Sequence, residues 1–138
     1  MGTFKDLEEA REYFKGDRFA TENGMVIDEM DEGLSVCSMT LTDSHKNANG
    51  GIMGGVIFSL ADFAFAVLAN NIHKPTVAQQ VSMNYLSSPK GKRLIASASC
   101  RKSGKTSTII NVEVKDETGR DIALFTGTGF KLQNTLSS

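Results

Sequence analysis

The segment that most constrains the fold is residues 56–69, whose sequence VIFSLADFAFAVLA is apolar at almost every position. Ser59 and Asp62 carry its only polar side chains. A helix that is apolar on nearly all faces belongs in the interior of a protein. A lone carboxylate in such a helix is costly unless a partner pairs with it or a reaction uses it. The segment therefore predicts a buried central helix and marks Asp62 as a candidate functional residue.

A glycine-rich loop, residues 47–55 (NANGGIMGG), leads into this helix. Gly54 and Gly55 would give the helix start a bare backbone, whose free N–H groups stabilise an anion or a developing oxyanion. Taken alone, the glycines are better explained by a tight turn and close packing, and Asn47 by a turn in the loop. Asp62 follows roughly 10–12 Å along the helix axis. A carbonyl at the helix start and this carboxylate are expected to flank one reacting centre, although a structural role for Asp62 stays open.

Length and composition favour one ordinary globular domain that spans residues 1–138. The charged residues make up 22% of the chain and the net charge is −1, so nothing favours nucleic acid or an acidic membrane surface. The two cysteines, Cys37 and Cys100, lie in strand-like runs without the spacing of a metal or redox motif. We expect both to be free thiols in a reducing compartment.

The chain is expected to be cytoplasmic and to bind no metal. Its charged N-terminal residues lack the apolar core of a secretory signal, and the run 56–69 is short for a bilayer and carries a carboxylate. His45 and His73 lie on either side of the predicted central helix and lack companion ligands.

The pattern along the chain predicts an α+β fold. A short amphipathic helix, capped by Thr3 and ended by Gly16, precedes two strands, the long helix and a run of further strands, and residues 1–20 form the lead-in. The tail, residues 133–138, is expected to be frayed. A curved antiparallel sheet that wraps the apolar helix would cover it, and the other face or the edge of the sheet would be free for a second copy. The predicted helices cover residues 4–14 and 55–71, and the predicted strands 25–30, 33–42, 77–85, 94–101, 108–114 and 122–132.

Two turns are rich in basic residues. A solvated charged turn is the default interpretation of each, and contact with a phosphate is the alternative. One group is Arg101, Lys102 and Lys105, and the other is Lys90, Lys92 and Arg93.

Together these residues resemble a known family, the hotdog-fold acyl-CoA thioesterases, and within it the phenylacetate-degradation (PaaI-like) subfamily. The resemblance extends from about residue 24 to residue 132. It is carried by His45-x-Asn47-x-x-Gly50-x-x-Met53-Gly54-Gly55, by residues 58–62 (FSLAD) and 64–66 (AFA), and by Gly119-x-x-x-Ala123 with residues 126–129 (TGTG).

The resemblance implies a long central helix wrapped by an antiparallel sheet, and dimers with two active sites at the subunit interface, often paired into a homotetramer; the sequence leaves dimer or tetramer open. It implies that Gly54 donates its backbone N–H to the thioester carbonyl and that Asp62 is the nucleophile or activates water. Asn47 would orient the substrate or water. The chain departs from the family at Met53, where relatives usually have histidine, and at Ala66, where they often have Ser or Thr.

The expected function is hydrolysis of an acyl- or aryl-CoA thioester, with CoA as part of the substrate and no separate cofactor. The acyl group would meet Phe58 and Phe65 near Met53 and Gly55, and the phosphates would meet Arg101, Lys102 and Lys105 or the other basic turn. A non-catalytic acyl-CoA binding or sensing module and an enoyl thioester hydratase on the same fold are the alternatives. The sequence leaves the acyl group open.

Overall fold

The computed structural model describes residues 2–133, so residues 134–138 of the predicted frayed tail lie outside the described part. Six antiparallel strands form one sheet in the order β1-β2-β4-β5-β6-β3. The helices are α1 (Leu7–Phe14), α2 (Arg18–Glu22) and α3 (Gly54–Ile72), with a 3-10 turn at Asp43–His45. The strands are β1 (Val26–Met30), β2 (Leu34–Thr40), β3 (Thr76–Tyr85), β4 (Arg93–Ser103), β5 (Ser107–Asp116) and β6 (Asp121–Lys131).

The α3 helix lies across one face of the sheet and supplies the centre of the core. Leu60, Ala64 and Phe65 are almost completely buried there, and the Ser35 hydroxyl donates to the Ala64 carbonyl at 2.7 Å. By length and composition alone, α3 could cross a membrane, but most of it is buried, as in the core helix of a globular protein. The predicted sheet wrapped around a central apolar helix is confirmed.

The first helix begins later than predicted, and Thr3 is not its cap. The side chain of Asp6 caps α1 by accepting from the Glu9 N–H at 2.9 Å. Thr3 instead bonds to the end of α3, where its hydroxyl donates to the Asn70 carbonyl at 2.6 Å and its N–H to the Asn71 carbonyl at 2.7 Å. The last carbonyls of a helix have no partner within the helix, so they bind the N-terminal segment here.

The five-residue helix α2 was not predicted, because five residues are too few to show a helical period. Its only local signal is Asp17, a favoured residue at a helix start, directly before it. The segment runs back over α3 and lies against Ser59, Phe63 and Ala66. It thereby brings Asp17 next to the middle of the central helix.

Two glycines of β6 let Phe65 pack directly on the backbone of the sheet. A Cβ at Gly127 would lie 2.8 Å from Phe65 Cε1, and one at Gly129 would lie 2.7 Å from Thr76 Cγ2. Such distances are shorter than real contacts, so a side chain at Gly127 would displace the Phe65 ring of α3, and one at Gly129 would displace Thr76 of β3 and crowd the same ring, 3.3 Å away. The glycines therefore set how closely the helix approaches the strands.

The turn between β3 and β4 is held by two neighbouring carboxylates, those of Glu117, which accepts from the Lys92 and Arg93 N–H groups, and of Asp116 at the end of β5. The Asp116 carboxylate accepts from the N–H groups of Lys90 and Gly91 at 2.8 and 3.1 Å, and from the Thr118 hydroxyl at 2.5 Å. The N–H groups of Thr118 and Arg120 also donate to it. These bonds, the one from the Thr118 hydroxyl foremost, hold the pKa of the Asp116 carboxyl far below its usual range.

Candidate active site

The start of α3 presents unpaired backbone donors. Gly54 is the first helical residue, and Met53 before it has extended backbone angles (φ −62°, ψ 133°). Within residues 2–133 the N–H groups of Gly54 and Gly55 donate to no other group. Two free donors at the positive end of a helix of 19 residues are suited to bind a carbonyl oxygen that becomes negative.

Asn47 shapes the loop before this helix. Its side-chain oxygen accepts from the N–H groups of Asn49 at 2.9 Å and of Gly51 at 3.1 Å. Gly50 has φ +85°, a conformation that favours glycine. The loop-turn interpretation of Asn47 therefore agrees with the structure, while its amide nitrogen has no hydrogen-bond partner in the described part of the chain and is left as a donor.

His45 connects the same loop to the segment that follows α2. The imidazole is buried, and its Nδ1 accepts from the Thr42 N–H at 3.0 Å, so Nε2 carries the proton and donates to Asn23 Oδ1 at 3.1 Å. The His45 carbonyl accepts from the Met53 N–H at 2.9 Å. His45 thus holds the entry to α3 in place, whereas the Met53 side chain is 54% exposed beside the two glycines.

Asp62 faces a cavity of about 280 Å³ in the middle of α3. Its half-buried carboxylate has no hydrogen-bond or ion-pair partner among residues 2–133. Burial, and secondarily the negative charge of Asp17, raise the pKa of the Asp62 carboxyl, which makes its anion a stronger base. The cavity is lined by Asp17, Arg18, Phe19, Ala20, Met25, Ser59, Asp62, Phe63 and Ala66.

The separation of Gly54 and Asp62 along α3 limits how both can act on one reacting centre. Eight residues separate Gly54 from Asp62 in one continuous helix, which is about 12 Å along the axis. A carbonyl that contacts a donor and an attacking group, each at roughly 3 Å, spans only about 7 Å. Within one helix, therefore, the two groups are too far apart for both to be in direct contact with one carbonyl.

The two aromatic residues predicted to meet the acyl group both pack on Phe125. Phe65 is only 2% exposed and packs on Phe125 with ring centroids 5.9 Å apart, and the partly buried Phe58 packs on the same ring at 5.7 Å. Phe63 and Phe19 line the Asp62 cavity instead. In a helix that is apolar on all faces, the sequence does not reveal which aromatic ring faces the core and which faces a cavity.

Tyr85, which the sequence did not single out, contacts the start of α3. Its hydroxyl donates to the Gly54 carbonyl at 3.1 Å, and its ring is about half exposed. The only signal in the sequence is an aromatic residue at the end of an alternating strand. A second cavity, of about 350 Å³, lies here and is lined by Ile52, Gly54, Ile57, Tyr85, Leu86, Ser87, Ser88 and Pro89.

The two basic turns lie at opposite ends of α3. The hairpin with Arg101, Lys102 and Lys105 is near the C-terminal end, where the Lys131 side chain donates to the Gly104 carbonyl and His73 bonds to Leu132. The turn with Lys90, Lys92 and Arg93 directly follows the Ser88 and Pro89 that border the Gly54 cavity. Within residues 2–133 no group of three or more His, Cys, Asp or Glu side chains could hold a metal ion.

Comparison with known proteins gives a consistent result. The model of the thioesterase superfamily matches residues 49–123. The acyl-coenzyme A thioesterase PaaI of Escherichia coli K12 is 31% identical over 134 residues, which cover 96% of both chains. A putative esterase of Archaeoglobus fulgidus is 34% identical over 91% of this chain and 83% of its own length.

Solved structures agree with this. The E. coli PaaI protein from the phenylacetic acid degradation operon superposes with a TM-score of 0.85 over 90% of this chain and 91% of that one, at 31% identity. A hypothetical thioesterase protein with coenzyme A from Streptococcus pneumoniae TIGR4 has a TM-score of 0.78 and 26% identity, over 85% and 94% of the two chains. The predicted α+β hotdog fold is confirmed.

Proposed function

The chain belongs to the thioesterase superfamily, and from this we propose that it hydrolyses an acyl- or aryl-CoA thioester to the free acid and CoA. The observation that supports this best is the Asp62 carboxylate, which faces a cavity without a partner although it is half-buried in an apolar helix. Unpaired donors at the start of the same helix supply the complementary group. A carboxylate base and backbone donors suffice for acyl transfer to water, so the proposal includes no metal or separate cofactor.

In this mechanism the Gly54 N–H donates to the thioester carbonyl oxygen and stabilises the negative charge that develops there. Asp62 takes a proton from a water molecule whose oxygen attacks the carbonyl carbon, or its own carboxylate attacks that carbon first. In the first route the carbon–sulfur bond then breaks, and CoA leaves as a thiolate that takes up the proton from Asp62. In the second route the same bond breaks and leaves an anhydride on Asp62. Water then hydrolyses that anhydride, which releases the acid, restores the Asp62 carboxylate and supplies the proton that the thiolate takes up. Both routes need Asp62 ionised, and both give one acid and one thiol for each water consumed.

The site is shared between subunits in our proposal, with Gly54 of one subunit near Asp62 of the partner subunit. The 12 Å axial separation within one chain, calculated as about 1.5 Å per residue, supports this arrangement. The β3 strand is an edge of the sheet, ten residues long and mostly exposed, and can pair with a second copy of itself. We propose a homodimer of this kind, paired further into a tetramer, in the cytoplasm.

The CoA phosphates need cations near the entrance to the site. The turn with Lys90, Lys92 and Arg93 is the better candidate within one subunit, because it lies at the Gly54 end of α3. The hairpin with Arg101, Lys102 and Lys105 lies at the other end and could contribute only from a second subunit.

The test is Asp62→Asn, which keeps the shape of the side chain but cannot act as a carboxylate. We expect kcat to fall by roughly 10²–10⁴, while the melting temperature and the affinity for acyl-CoA persist. Asp121→Asn, the same substitution on an exposed residue of the β5–β6 hairpin, is the matched control. Release of free thiol from a saturated acyl-CoA is the measurement.

A fully active Asp62→Asn protein would refute the mechanism. Binding of acyl-CoA by the wild-type protein without thiol release would identify the non-catalytic sensor instead. Activity restricted to unsaturated substrates, again without thiol release, would identify the enoyl thioester hydratase.

A further inference from the structure

We propose that Asp17 is a positioning residue for the reaction, which acts on the substrate only through Asp62 across the cavity that the two side chains share. This inference rests on the proposed function and assigns a role to a residue of the N-terminal segment. The negative charge of Asp17 would favour transfer of a proton from the attacking water to Asp62.

The first observation is the position of Asp17. It directly precedes α2, where an aspartate side chain commonly caps the helix, yet its carboxylate makes no capping hydrogen bond. It has no other hydrogen-bond or ion-pair partner within residues 2–133. Asp17 lines the cavity of about 280 Å³ that Asp62 also lines, and its charge acts on the Asp62 carboxyl. Helix capping therefore does not explain the role of the Asp17 side chain, which makes no capping bond and shares a cavity with a second carboxylate.

The second observation is that no cation within residues 2–133 forms an ion pair with either carboxylate. Arg18 is the one cationic residue in the lining, and its guanidinium bonds to Glu22 at 3.0 Å on the same helix. A neighbouring cavity, which shares Met25 and Phe63 with this one, includes Arg11 and Lys15. Arg11 donates to the Ile27 carbonyl and pairs with Glu8 at 2.8 Å, and Lys15 pairs with Glu12 at 3.0 Å. Every cation near the cavity thus has another partner.

Apolar walls strengthen the interaction between the two carboxylates. Phe19, Ala20, Met25, Phe63 and Ala66 supply most of the remaining lining, so less water lies between the charges than at an open surface. The raised pKa of Asp62, due first to burial and then to Asp17, has the direction that this geometry predicts.

The chemical consequence concerns the proton. When Asp62 accepts a proton from the attacking water, its charge is neutralised and the repulsion from Asp17 disappears. The transfer therefore becomes more favourable with Asp17 ionised. The proton later leaves with the CoA thiolate, and Asp17 itself keeps its charge and forms no bond to the substrate.

The test is the pH profile of kcat/KM for the wild type and for Asp17→Asn. Asparagine is also favoured at a helix start, so α2 should be retained. We expect the acid limb of the profile to move to lower pH, because Asp62 loses its proton more easily without the neighbouring charge. On the alkaline plateau kcat/KM should fall by roughly 2- to 10-fold, because Asp62 is then a weaker base. The difference in kcat/KM between wild type and Asp17→Asn should become smaller as the pH falls.

Three variants complete the experiment. Asp17→Glu retains the charge and should keep the wild-type acid limb. Asp17→Ser removes the charge with another residue suited to a helix start, and it replaces Asp17→Asn if that protein does not fold. Asp121→Asn removes one charge at a residue that does not line the Asp62 cavity, and it should leave the profile unchanged.

A profile of Asp17→Asn that superimposes on the wild type, or that falls equally at every pH, would overturn the inference. The result is separable from the proposed function. If Asp62→Asn is inactive while Asp17→Asn keeps the wild-type profile, only the role of Asp17 fails. If Asp62→Asn is fully active, the mechanism itself fails, and the role of Asp17 fails with it.

Discussion

At the scale of single residues, the most informative position is Gly54, because the group proposed to act belongs to its backbone. Proline removes that N–H, and the first position of a helix is where proline is best tolerated. Met53 already has ψ 133°, the conformation that a residue before proline adopts. We expect Gly54→Pro to lower kcat by roughly 10²–10³, the scale for loss of one oxyanion donor, with little change in the melting temperature.

Gly54→Ala is the matched control for that substitution. It keeps the N–H, and its Cβ would lie 3.4 Å from the Tyr85 ring, at the short end of ordinary contact. The alanine protein should retain most of its kcat. If the alanine and proline proteins lose activity equally, steric contact with Tyr85 explains the loss and the donor does not.

At the scale of elements, Asp116 connects two parts of the sheet that are distant in sequence. Its carboxylate holds the β3–β4 turn next to the β5–β6 hairpin. Asp116→Asn replaces one accepting carboxylate oxygen with an NH2 group, which is a donor and faces the N–H groups that donate to Asp116 in the wild type. We therefore expect a lower melting temperature at pH 7, measured by thermal unfolding, with Asp121→Asn as the control that accepts no comparable bonds.

The direction of the Asp116 pKa shift determines how the difference in melting temperature changes with pH. The pKa of Asp116 is lower in the folded than in the unfolded state, where an aspartate titrates near about 3.9. The carboxylate therefore stabilises the fold fully above that pH, and the stabilisation is lost as the pH falls through the folded value. The difference in melting temperature between wild type and Asp116→Asn should stay constant near neutrality and narrow on acidification below about pH 4. A difference that is the same at pH 7 and pH 3 would contradict this account.

At the scale of the whole molecule, a shared site predicts that two inactive chains restore each other. Gly54→Pro and Asp62→Asn proteins should each be inactive alone. A hybrid dimer pairs one Gly54→Pro subunit with one Asp62→Asn subunit. One of its two shared sites then contains both substitutions, and the other site contains neither. With random pairing, half of the dimers are hybrids, so co-expression should recover about one quarter of wild-type activity.

The activity of the co-purified hybrid, isolated with a different tag on each chain, is the measurement. Homodimers of each variant alone provide the baseline activity. Light scattering should show a dimer or a larger assembly for the wild type. If a verified hybrid recovers no activity, Gly54 and Asp62 act within one subunit. If the wild-type protein is a monomer in light scattering, the site is not shared between subunits.

The sequence predicted most of the fold because its strongest signals are local. The run 56–69 has no polar face, so only the centre of a sheet could cover it, and the alternation after residue 76 indicated the strands. The path of the N-terminal segment could not be predicted, because it depends on long-range bonds such as that of Thr3 to Asn70. Asp17 was missed for the same reason: nothing near it in the sequence shows that it meets Asp62.

The N-terminal segment, residues 2–25, is attached at both ends of α3 but contributes no strand to the sheet. Thr3 binds the C-terminal end of the helix, and Asn23 receives the His45 bond beside its beginning. Between these attachments the segment forms one wall of the Asp62 cavity and shares no hydrogen-bonded register with any strand. A substitution at an exposed position of this segment, such as Phe19, can therefore reshape that wall without altering any strand pairing. The wall of the cavity and the architecture beneath it can thus be varied separately.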